Sequence, residues 1–277
     1  MPAGNRDITA VVACYDYGRY LPEAVGSLLS QEGGAPHVVV VDDGSTDPGT
    51  HRALDELPDE VEVVRQANAG VAAARNAGLA GLETDYAIVV DADDRLAPTA
   101  LAELRAPLDA DRERRHGFAY GSMRFFGAWS GVMRMPPYDP FKLLYRHTIG
   151  LSALMRRELV EDTGGFDPAI AEYEDWELWL NALAHGWRGV QVDAVTLEYR
   201  RHAGSKHSVD RTRYRAAYRQ IRAKHAALYA GWRALAEESG IGAAGRLAYR
   251  GYWGPRPLPG RVENALYRVV FRGGRAA

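Results

Sequence analysis

Clustered carboxylates that follow two apolar runs are the residues of this chain best suited to chemistry. The runs read Val-Val-Val-Val-Asp-Asp at 38–43 and Ala-Ile-Val-Val-Asp-Ala-Asp-Asp at 87–94. An unbroken β-branched run predicts a strand covered on both faces, which is typical of a parallel sheet between helices. Because ligands bind such sheets at the carboxyl ends of the strands, we expect the acids to hold a hard cation or sugar hydroxyls. For the first run alone, a turn leading into a helix N-cap at 43–47 is the alternative.

Further short motifs occur along the chain. They are Cys-Tyr-Asp at 14–16, Asp-Asp-Gly-Ser-Thr-Asp at 42–47, Asn-Ala-Gly at 68–70, Ala-Arg-Asn-Ala-Gly at 74–78, Asp-Ala-Asp-Asp at 91–94, Gly-Gly-Phe-Asp at 164–167, Glu-Asp-Trp-Glu-Leu-Trp at 174–179 and Tyr-Arg-Arg-His at 199–202. Together, from residue 8 to residue 202, the chain resembles the family 2 glycosyltransferases with the GT-A fold. Asp16 stands where the family usually has Asn, which leaves the details of that loop open.

The resemblance implies a divalent cation. In the family the Asp-x-Asp motif binds the metal and the donor ribose, which implies these roles for Asp91 and Asp93, with Asp94 as a substitute ligand and His202 as a further ligand. Breaking the bond between an anomeric carbon and a diphosphate leaves negative charge on phosphate oxygens, and a divalent cation lowers that cost. Mn²⁺ or Mg²⁺ suits such oxygen ligands. Ala92 is small enough to let the diphosphate approach. A surface histidine is the alternative for His202.

The resemblance also implies where the donor binds. Its donor-binding set comprises Ala13, Tyr15, Asp43, Arg75, Asp91 and Asp93. Tyr15 would pack on the base, Asp43 would accept a hydrogen bond from a base N–H, and Arg75 would reach the base or a phosphate. The alternative is that Arg75 lies on the surface of a helix and pairs with Asp42 or Asp43. UDP-sugars are the commonest donors, and GDP- and dTDP-sugars stay open.

A catalytic base is required because an acceptor hydroxyl loses its proton as it attacks. The family's Glu-Asp pair implies Asp175, and chemistry alone does not exclude the neighbouring Glu174 and Glu177. The alternative is that these acids only complement a helix dipole, which lowers a carboxylate pKa. We therefore expect proton transfer to be late and concerted with attack. With the base and the leaving group on opposite faces of the sugar, the anomeric centre is inverted, as the resemblance also implies.

Other function classes fit less well. A noncatalytic nucleotide-sugar-binding protein is the alternative that stays open. A sugar-nucleotide pyrophosphorylase is disfavoured because no Gly-rich, Arg-bearing loop follows the first strand, and a dehydrogenase because no Gly-x-Gly-x-x-Gly follows it. The acceptor stays open among a cell-surface glycan, a lipid-linked intermediate and a small natural product.

The elements that position these residues alternate along the chain. Strands are predicted at 7–14, 37–42, 61–66 and 86–91, and helices at 21–31, 46–57, 70–83 and 98–109, the last with Pro98 in its first turn. The alternation predicts an α/β fold, a GT-A type doubly wound, mostly parallel central sheet with a helical C-terminal extension. Residues 117–150 are expected to form strands and loops of an acceptor pocket. Helices near 152–162 and 174–185, a strand near 188–199 and a mostly helical tail from about 207 follow.

The helix predicted at 174–185 carries one apolar stripe. Trp176, Trp179, Leu180 and Leu183 recur at helical spacing. We predict a glycosyltransferase domain at 1–205, with a donor half of about 1–115 and an acceptor half of about 116–205. A basic, mostly helical extension would occupy 206–277.

Composition fits a globular enzyme. The chain of 277 residues is 47% hydrophobic and 25% charged, so it can bury a full core, and its single cysteine, Cys14, is expected in that core. It has no run of about 18 apolar residues, and residues 1–6 lack a signal-peptide pattern. We therefore expect a cytoplasmic protein.

Charge is distributed unevenly along the chain. From Arg201 onward, 16 Lys and Arg stand against 4 Asp and Glu, a net charge of +12, whereas residues 1–200 carry −14 within a total of −2. A basic tail can contact anionic lipid at the inner face of the membrane, form a solvated helical face or dock on its own acidic domain. Nucleic acid is not an expected partner, since no nucleic-acid-reading motif accompanies the charge.

Overall fold

The structure, a computed structural model, describes residues 4–202 and 211–253. The chain divides into two compact units, one of Met1–Tyr138 with His147–Lys206 and the other of Asp139–Arg146 with His207–Ala277. The functional division predicted between 1–205 and 206–277 stays a prediction. No helix in the described ranges is long and apolar enough to span a bilayer.

Nine strands of the first unit, counted over the described residues, form one sheet. They are β1 (Ile8–Cys14), β2 (His37–Asp42), β3 (Val61–Arg65), β4 (Tyr86–Asp91), β5 (Arg95–Leu96), β6 (His116–Gly127), β7 (Gly131–Met133), β8 (Leu154–Arg156) and β9 (Arg188–Arg201). Their order is β3-β2-β1-β4-β8-β6-β9-β5, with β7 paired to β6. The first four run parallel, β8 is antiparallel to both β4 and β6, and β9 is parallel to β6.

The helices follow the strands in the predicted alternation. They are α1 (Leu21–Leu29), α2 (Pro48–Asp55), α3 (Val71–Leu79), α4 (Ala100–Ala110), α5 (Pro140–Leu143), α6 (Arg157–Thr163), α7 (Glu174–Ala184), α8 (Arg211–Lys224), α9 (Ala226–Ala230), α10 (Trp232–Glu238) and α11 (Ala243–Ala248). The α/β fold with a mostly parallel sheet is therefore confirmed.

The core lies where the apolar runs predicted it. All four valines of 38–41 are at most 4% exposed, because β2 is covered on both faces. Gly78 allows α3 to lie close to the sheet, since a Cβ there would stand 2.3 Å from Val11 Cγ1. The four residues of the α7 stripe are buried, as predicted. Cys14 is also buried, and burial raises the pKa of its thiol to about 11.

Three local predictions are wrong. Residues 140–143 form the helix α5 inside the segment 117–150, which was expected to form strands and loops. The segment at 152–162 is not one helix, because Leu154–Arg156 forms β8 and inserts between β4 and β6 before α6 begins. Three residues are too few to show a strand's alternation, so the sequence pattern concealed this strand. Pro98 is not in the first turn of α4, which begins at Ala100 with Thr99 as its N-cap.

The second unit contains α5 and α8–α11. The Phe141 ring lies 5.2 Å from that of Tyr145 and 6.2 Å from that of Trp232, between centroids. The Tyr229 hydroxyl donates a hydrogen bond of 2.6 Å to the Leu144 carbonyl. The predicted helical tail is helical over most of 211–253, and its segments 207–210 and 254–277 lie outside the described residues.

Candidate active site

A cleft of about 700 Å³ lies at the carboxyl ends of β1, β2 and β4. The strand register places Cys14 beside Asp42 and Ala13 beside Asp91, so the two acidic runs meet at one edge of the sheet. The cleft lining includes all six predicted donor-binding residues, namely Ala13, Tyr15, Asp43, Arg75, Asp91 and Asp93. The structure thus brings this set together, and their roles stay predictions.

Asp16 joins the loops that follow β1 and β2. Its Oδ1 accepts hydrogen bonds from the backbone N–H groups of Thr46, at 2.7 Å, and Asp47, at 2.8 Å. These bonds, the one from Asp47 first, hold the pKa of the Asp16 carboxyl below its ordinary value. An Asn side-chain oxygen could accept the same bonds, so the departure from the family's usual residue keeps the loop contact. Tyr15 beside it is 46% exposed.

Asp43 is buried and fixes the loop at 68–70. Its Oδ1 accepts hydrogen bonds from Gln66 Nε2, at 2.7 Å, and from the Ala69 N–H, at 2.9 Å, while Oδ2 accepts one from the Gly70 N–H at 2.9 Å. A carboxylate oxygen has two lone pairs, so Oδ2 keeps capacity for one more donor. Asp43 can therefore both hold this loop and accept a hydrogen bond from a ligand in the cleft.

Three carboxylates crowd together where β4 ends. Asp91, Asp93 and Asp94 each offer one oxygen, and these oxygens lie within 4.8 Å of one another. His202 Nε2 lies 2.9 Å from Asp93 Oδ2, so β9 delivers the predicted histidine to this group. Asp94 is buried, and its Oδ1 accepts a hydrogen bond of 2.8 Å from the Arg200 N–H.

Crowding and burial raise the proton affinity of this group. Burial raises the pKa of Asp93, His202 acts in the opposite direction, and Asp91 raises it further. The pKa of Asp94 lies well above its ordinary value because of burial and the charges of Asp91 and Asp93. A divalent cation would relieve this repulsion, and the three carboxylates offer the oxygen ligands that suit Mn²⁺ or Mg²⁺. The residues present therefore fit such an ion.

Arg75 is buried and bridges two carboxylates across the cleft. Its Nη2 donates to Asp91 Oδ1 at 2.8 Å and its Nη1 to Glu174 Oε1 at 2.6 Å. Burial alone would lower the pKa of the guanidinium, but these two carboxylates raise it. Arg75 is thus neither on the surface nor paired with Asp42 or Asp43, so that alternative is wrong. Within the described part of the chain, its Nε has no hydrogen-bond partner.

Asp175 lies in the first turn of α7, as predicted. Its Oδ1 accepts a hydrogen bond of 2.8 Å from the Trp176 N–H, and its Oδ2 lies 3.0 Å from His147 Nε2. Burial would raise the pKa of this carboxyl, but His147 first, then Arg75 and the Trp176 N–H, together lower it below its ordinary value. The residue that lines the cleft is its neighbour Glu174. Glu177 is fully buried.

His147 is the site residue that the sequence analysis missed. It stands alone between Arg146 and Thr148, in a segment expected only to form strands and loops, and no motif surrounds it. Its pairing with Asp175 arises from the fold, because 28 positions separate the two residues in the chain. No periodicity or spacing signal reports a contact of that kind.

Known proteins share part of this sequence and its fold. Residues 9–164 match the family model described as Glycosyl transferase family 2. The chain is 31% identical over 199 residues to the succinoglycan biosynthesis protein ExoO of Rhizobium meliloti, covering 66% of this chain and 57% of ExoO. The chain covers 13% to 59% of the lengths of the first four curated relatives it matches.

Two solved structures share the fold. One is S. aureus TarS 1–349 in complex with UDP-GlcNAc, with a TM-score of 0.65, 21% identity and coverage of 78% of this chain and 66% of that one. The other is the mannosyltransferase PcManGT from Pyrobaculum calidifontis in complex with GDP-Man and Mn²⁺, with a TM-score of 0.61, 20% identity and coverage of 95% and 80%. At these identities the likeness shows the fold alone. Since the family match extends over more than half of the chain, the chain belongs to glycosyl transferase family 2.

Proposed function

We propose that this chain transfers a sugar from a nucleotide-sugar donor to an acceptor hydroxyl, with a divalent cation and with inversion at the anomeric carbon. The observation that carries the proposal is the meeting of Tyr15, Asp43, Arg75, Asp91 and Asp93 around one cleft. Family membership supports the reaction class. The noncatalytic alternative shares the donor site, so turnover distinguishes the two.

The donor would lie with its base at the β1 and β2 end of the cleft. Tyr15 offers an exposed ring for stacking, and Asp43 Oδ2 can accept a base N–H. Arg75 Nε, buried and without a protein partner among the described residues, can donate to a phosphate oxygen. TarS was solved with UDP-GlcNAc and PcManGT with GDP-Man, which supports a nucleotide sugar and leaves the nucleotide to experiment. UDP remains the first choice.

Asp91, Asp93 and His202 would hold the cation, with Asp94 behind them. When bound, Mn²⁺ or Mg²⁺ would partly neutralise the diphosphate leaving group. The presence of Mn²⁺ in the PcManGT complex supports this choice of ion.

Asp175 would act as the base. The acceptor oxygen forms a bond to the anomeric carbon while the bond from that carbon to the diphosphate breaks, and the nucleoside diphosphate leaves with the electron pair. The acceptor proton passes to a carboxylate oxygen of Asp175. Glu174 is paired with the guanidinium of Arg75, which stays charged, and Glu177 is fully buried, whereas the partner of Asp175 is a histidine that can lose its charge; this difference favours Asp175 over both. Its lowered pKa supports proton transfer late in the step.

The acceptor would be a glycan, a lipid-linked intermediate or a small natural product. The charge of +12 from Arg201 onward supports a location in the cytoplasm with contact to anionic lipid. Binding of the full chain to phosphatidylserine vesicles should then fall steeply as salt rises through physiological strength, where charges are screened beyond about 8 Å. Binding that ignores both lipid charge and salt would count against this contact.

A donor screen tests the proposed function. The full chain is incubated with UDP-, GDP- and dTDP-sugars, with and without Mn²⁺, and both thermal stabilisation and release of nucleoside diphosphate are measured. One nucleotide class should give both signals, and both should need Mn²⁺. Asp59→Ala, an exposed acid away from the cleft lining, serves as the control. Stabilisation without turnover across a broad acceptor panel would favour the noncatalytic alternative.

A further inference from the structure

His147 is held in place on several sides. Its Nε2 lies 3.0 Å from Asp175 Oδ2, and its ring makes a backbone hydrogen bond with Ile149. The ring is stacked near Trp176, with centroids 6.3 Å apart and planes inclined by 20°, and lies edge-on to Tyr173 at 6.0 Å. The imidazole therefore has a fixed position and both of its nitrogens have neighbours.

The Asp175 carboxylate is equally constrained. The Trp176 N–H binds Oδ1 while His147 binds Oδ2, so both oxygens are oriented before any substrate arrives. Tyr173, which precedes the helix, has a φ of +64°, a left-handed conformation that is costly for a non-glycine residue. Such strain is maintained only where the surroundings require it, here at the turn that presents Asp175.

We propose that His147 is the positioning residue of the candidate base, and that loss of a proton from His147 converts the His147–Asp175 pair to the form able to accept the acceptor's proton. This inference rests on the proposed function. It adds a residue for which neither the family motifs nor the sequence pattern assigns a role.

The charge of His147 sets the basicity of Asp175. With His147 protonated, the pair is a carboxylate beside an imidazolium, and the carboxylate is a weak base. With His147 neutral, the carboxylate keeps its orientation but loses the neighbouring positive charge, so it becomes a stronger base. As the acceptor oxygen bonds to the anomeric carbon and the diphosphate leaves with its electron pair, the proton enters at Asp175. The pair then ends as carboxylate and imidazolium, with one proton more than it began with.

The surroundings favour this assignment. Burial would lower the pKa of His147, but Asp175, the backbone of Ile149 and Glu174 together raise it above the ordinary 6.5. The other charged groups that act here are Arg75 on Asp175 and Glu172 on Tyr173. The pair is therefore expected to release its proton at a higher pH than an ordinary histidine does.

A titration of the imidazole signals by NMR tests the pair without any substrate. In the full chain, the His147 signal should titrate above the ordinary range and should move down in Asp175→Asn. His185, at the C-terminal end of the same helix, is the control, and Asp175→Asn should leave its signals unchanged. A His147 signal that titrates at or below about pH 6.5 and does not respond to Asp175→Asn would overturn the pair. If Asp175→Asn does not fold, the titration of His147 in wild type alone decides between the two outcomes.

A pH–rate profile tests the role. Release of nucleoside diphosphate from UDP-glucose, UDP-GlcNAc and GDP-mannose with Mn²⁺, with water as acceptor, is followed in wild type, His147→Gln and His185→Gln. Below the His147 pKa the wild-type rate should fall about tenfold per pH unit. A glutamine amide cannot titrate but can still donate a hydrogen bond, so the acid limb of His147→Gln should move down toward the range of an ordinary carboxylate, with an unchanged donor KM.

The outcomes separate the two proposals. A uniform loss in His147→Gln at every pH, without a shift of the acid limb, would mean a purely structural histidine and overturn the inference. A profile identical to wild type would overturn it too. If wild type releases no nucleoside diphosphate from any donor, the proposed function fails, while the NMR titration still decides whether the pair exists.

Discussion

Two groups of acids in the first unit differ in how their charge is balanced. At the end of β4, the oxygens of Asp91, Asp93 and Asp94 lie within 4.8 Å of one another, and burial raises the pKa of the latter two. Those three carboxylates share two basic side chains, Arg75 on Asp91 and His202 on Asp93. At the start of α7 each of two acids has one, since Glu174 lies against Arg75 and Asp175 against His147.

The difference separates two tasks of one residue type. Carboxylates that repel one another keep negative charge available for a cation from outside. A carboxylate held by a histidine has a fixed direction, and its proton affinity changes with the charge of that histidine, which suits proton transfer. Arg75 links the two groups, because one guanidinium binds both Asp91 and Glu174.

Asp175→Asn should have the largest effect. Asn is nearly isosteric but cannot take a proton at neutral pH, so transfer should fall by about 10² to 10⁴, the usual contribution of a positioned base. Binding of donor and Mn²⁺, measured by calorimetry, should stay near wild type because the β4 group (Asp91, Asp93 and Asp94) is intact. Equal losses of affinity and rate would instead make Asp175 a structural or donor-binding residue. Glu174→Gln and Glu177→Gln, made alongside, show whether either one is the base.

Arg75→Met should break the link between the groups. It leaves Asp91 and Glu174 without their shared cation, and removing one partner of a buried ion pair costs about 3–5 kcal/mol. Arg65→Met is the matched control, since Arg65 pairs with Asp55 on the surface at 2.5 Å, where such a pair contributes about 0–1 kcal/mol. Urea unfolding gives both free energies. Similar losses in the two variants would show that burial does not distinguish these arginines.

Asp93→Ala should act on the β4 group alone. Transition-state stabilisation should fall by about 3 kcal/mol, by analogy with deletion of a charge-stabilising group, or about 10² in rate. Mn²⁺ affinity, followed by calorimetric titration, should weaken, while the NMR titration of His147 should not change. Full wild-type turnover in excess EDTA, or undiminished Mn²⁺ binding by the variant, would remove Asp93 from the cation site.

Prediction from sequence succeeded where one local pattern decides the structure. The runs at 38–43 and 87–94 are buried strands because consecutive β-branched residues can only be covered on both faces, and parallel register then brings their acids together. It failed at β8, whose three residues become a strand only because β4 and β6 offer edges to pair with. The partners of Arg75 and the contact between His147 and Asp175 could not be predicted either, since both depend on tertiary structure.

The smallest expected effect is the pH dependence of folding stability that comes from His147 and Asp175, at the start of α7. The raised pKa of His147 means that its contribution to folding is complete below about pH 6.5, the value in the unfolded chain, and is lost as pH rises through the folded value. The lowered pKa of Asp175 means that its contribution is present above about 3.8 and is lost as pH falls through the folded value. The pair therefore stabilises the fold most between about pH 4 and 6.5.

The variant His147→Gln should accordingly cost more stability at pH 5.5 than at pH 9. The difference should stay within about 1 kcal/mol, since both side chains keep some contact with solvent and such pairs are screened. Urea unfolding of wild type, His147→Gln and His185→Gln at the two pH values measures it. A cost that is equal at both pH values, or larger at pH 9, would mean that His147 contributes by packing against Trp176 rather than by charge. The α7 acids would then be balanced by Arg75 alone, and because Arg75 also binds Asp91, the contrast with the acids at the end of β4 would disappear.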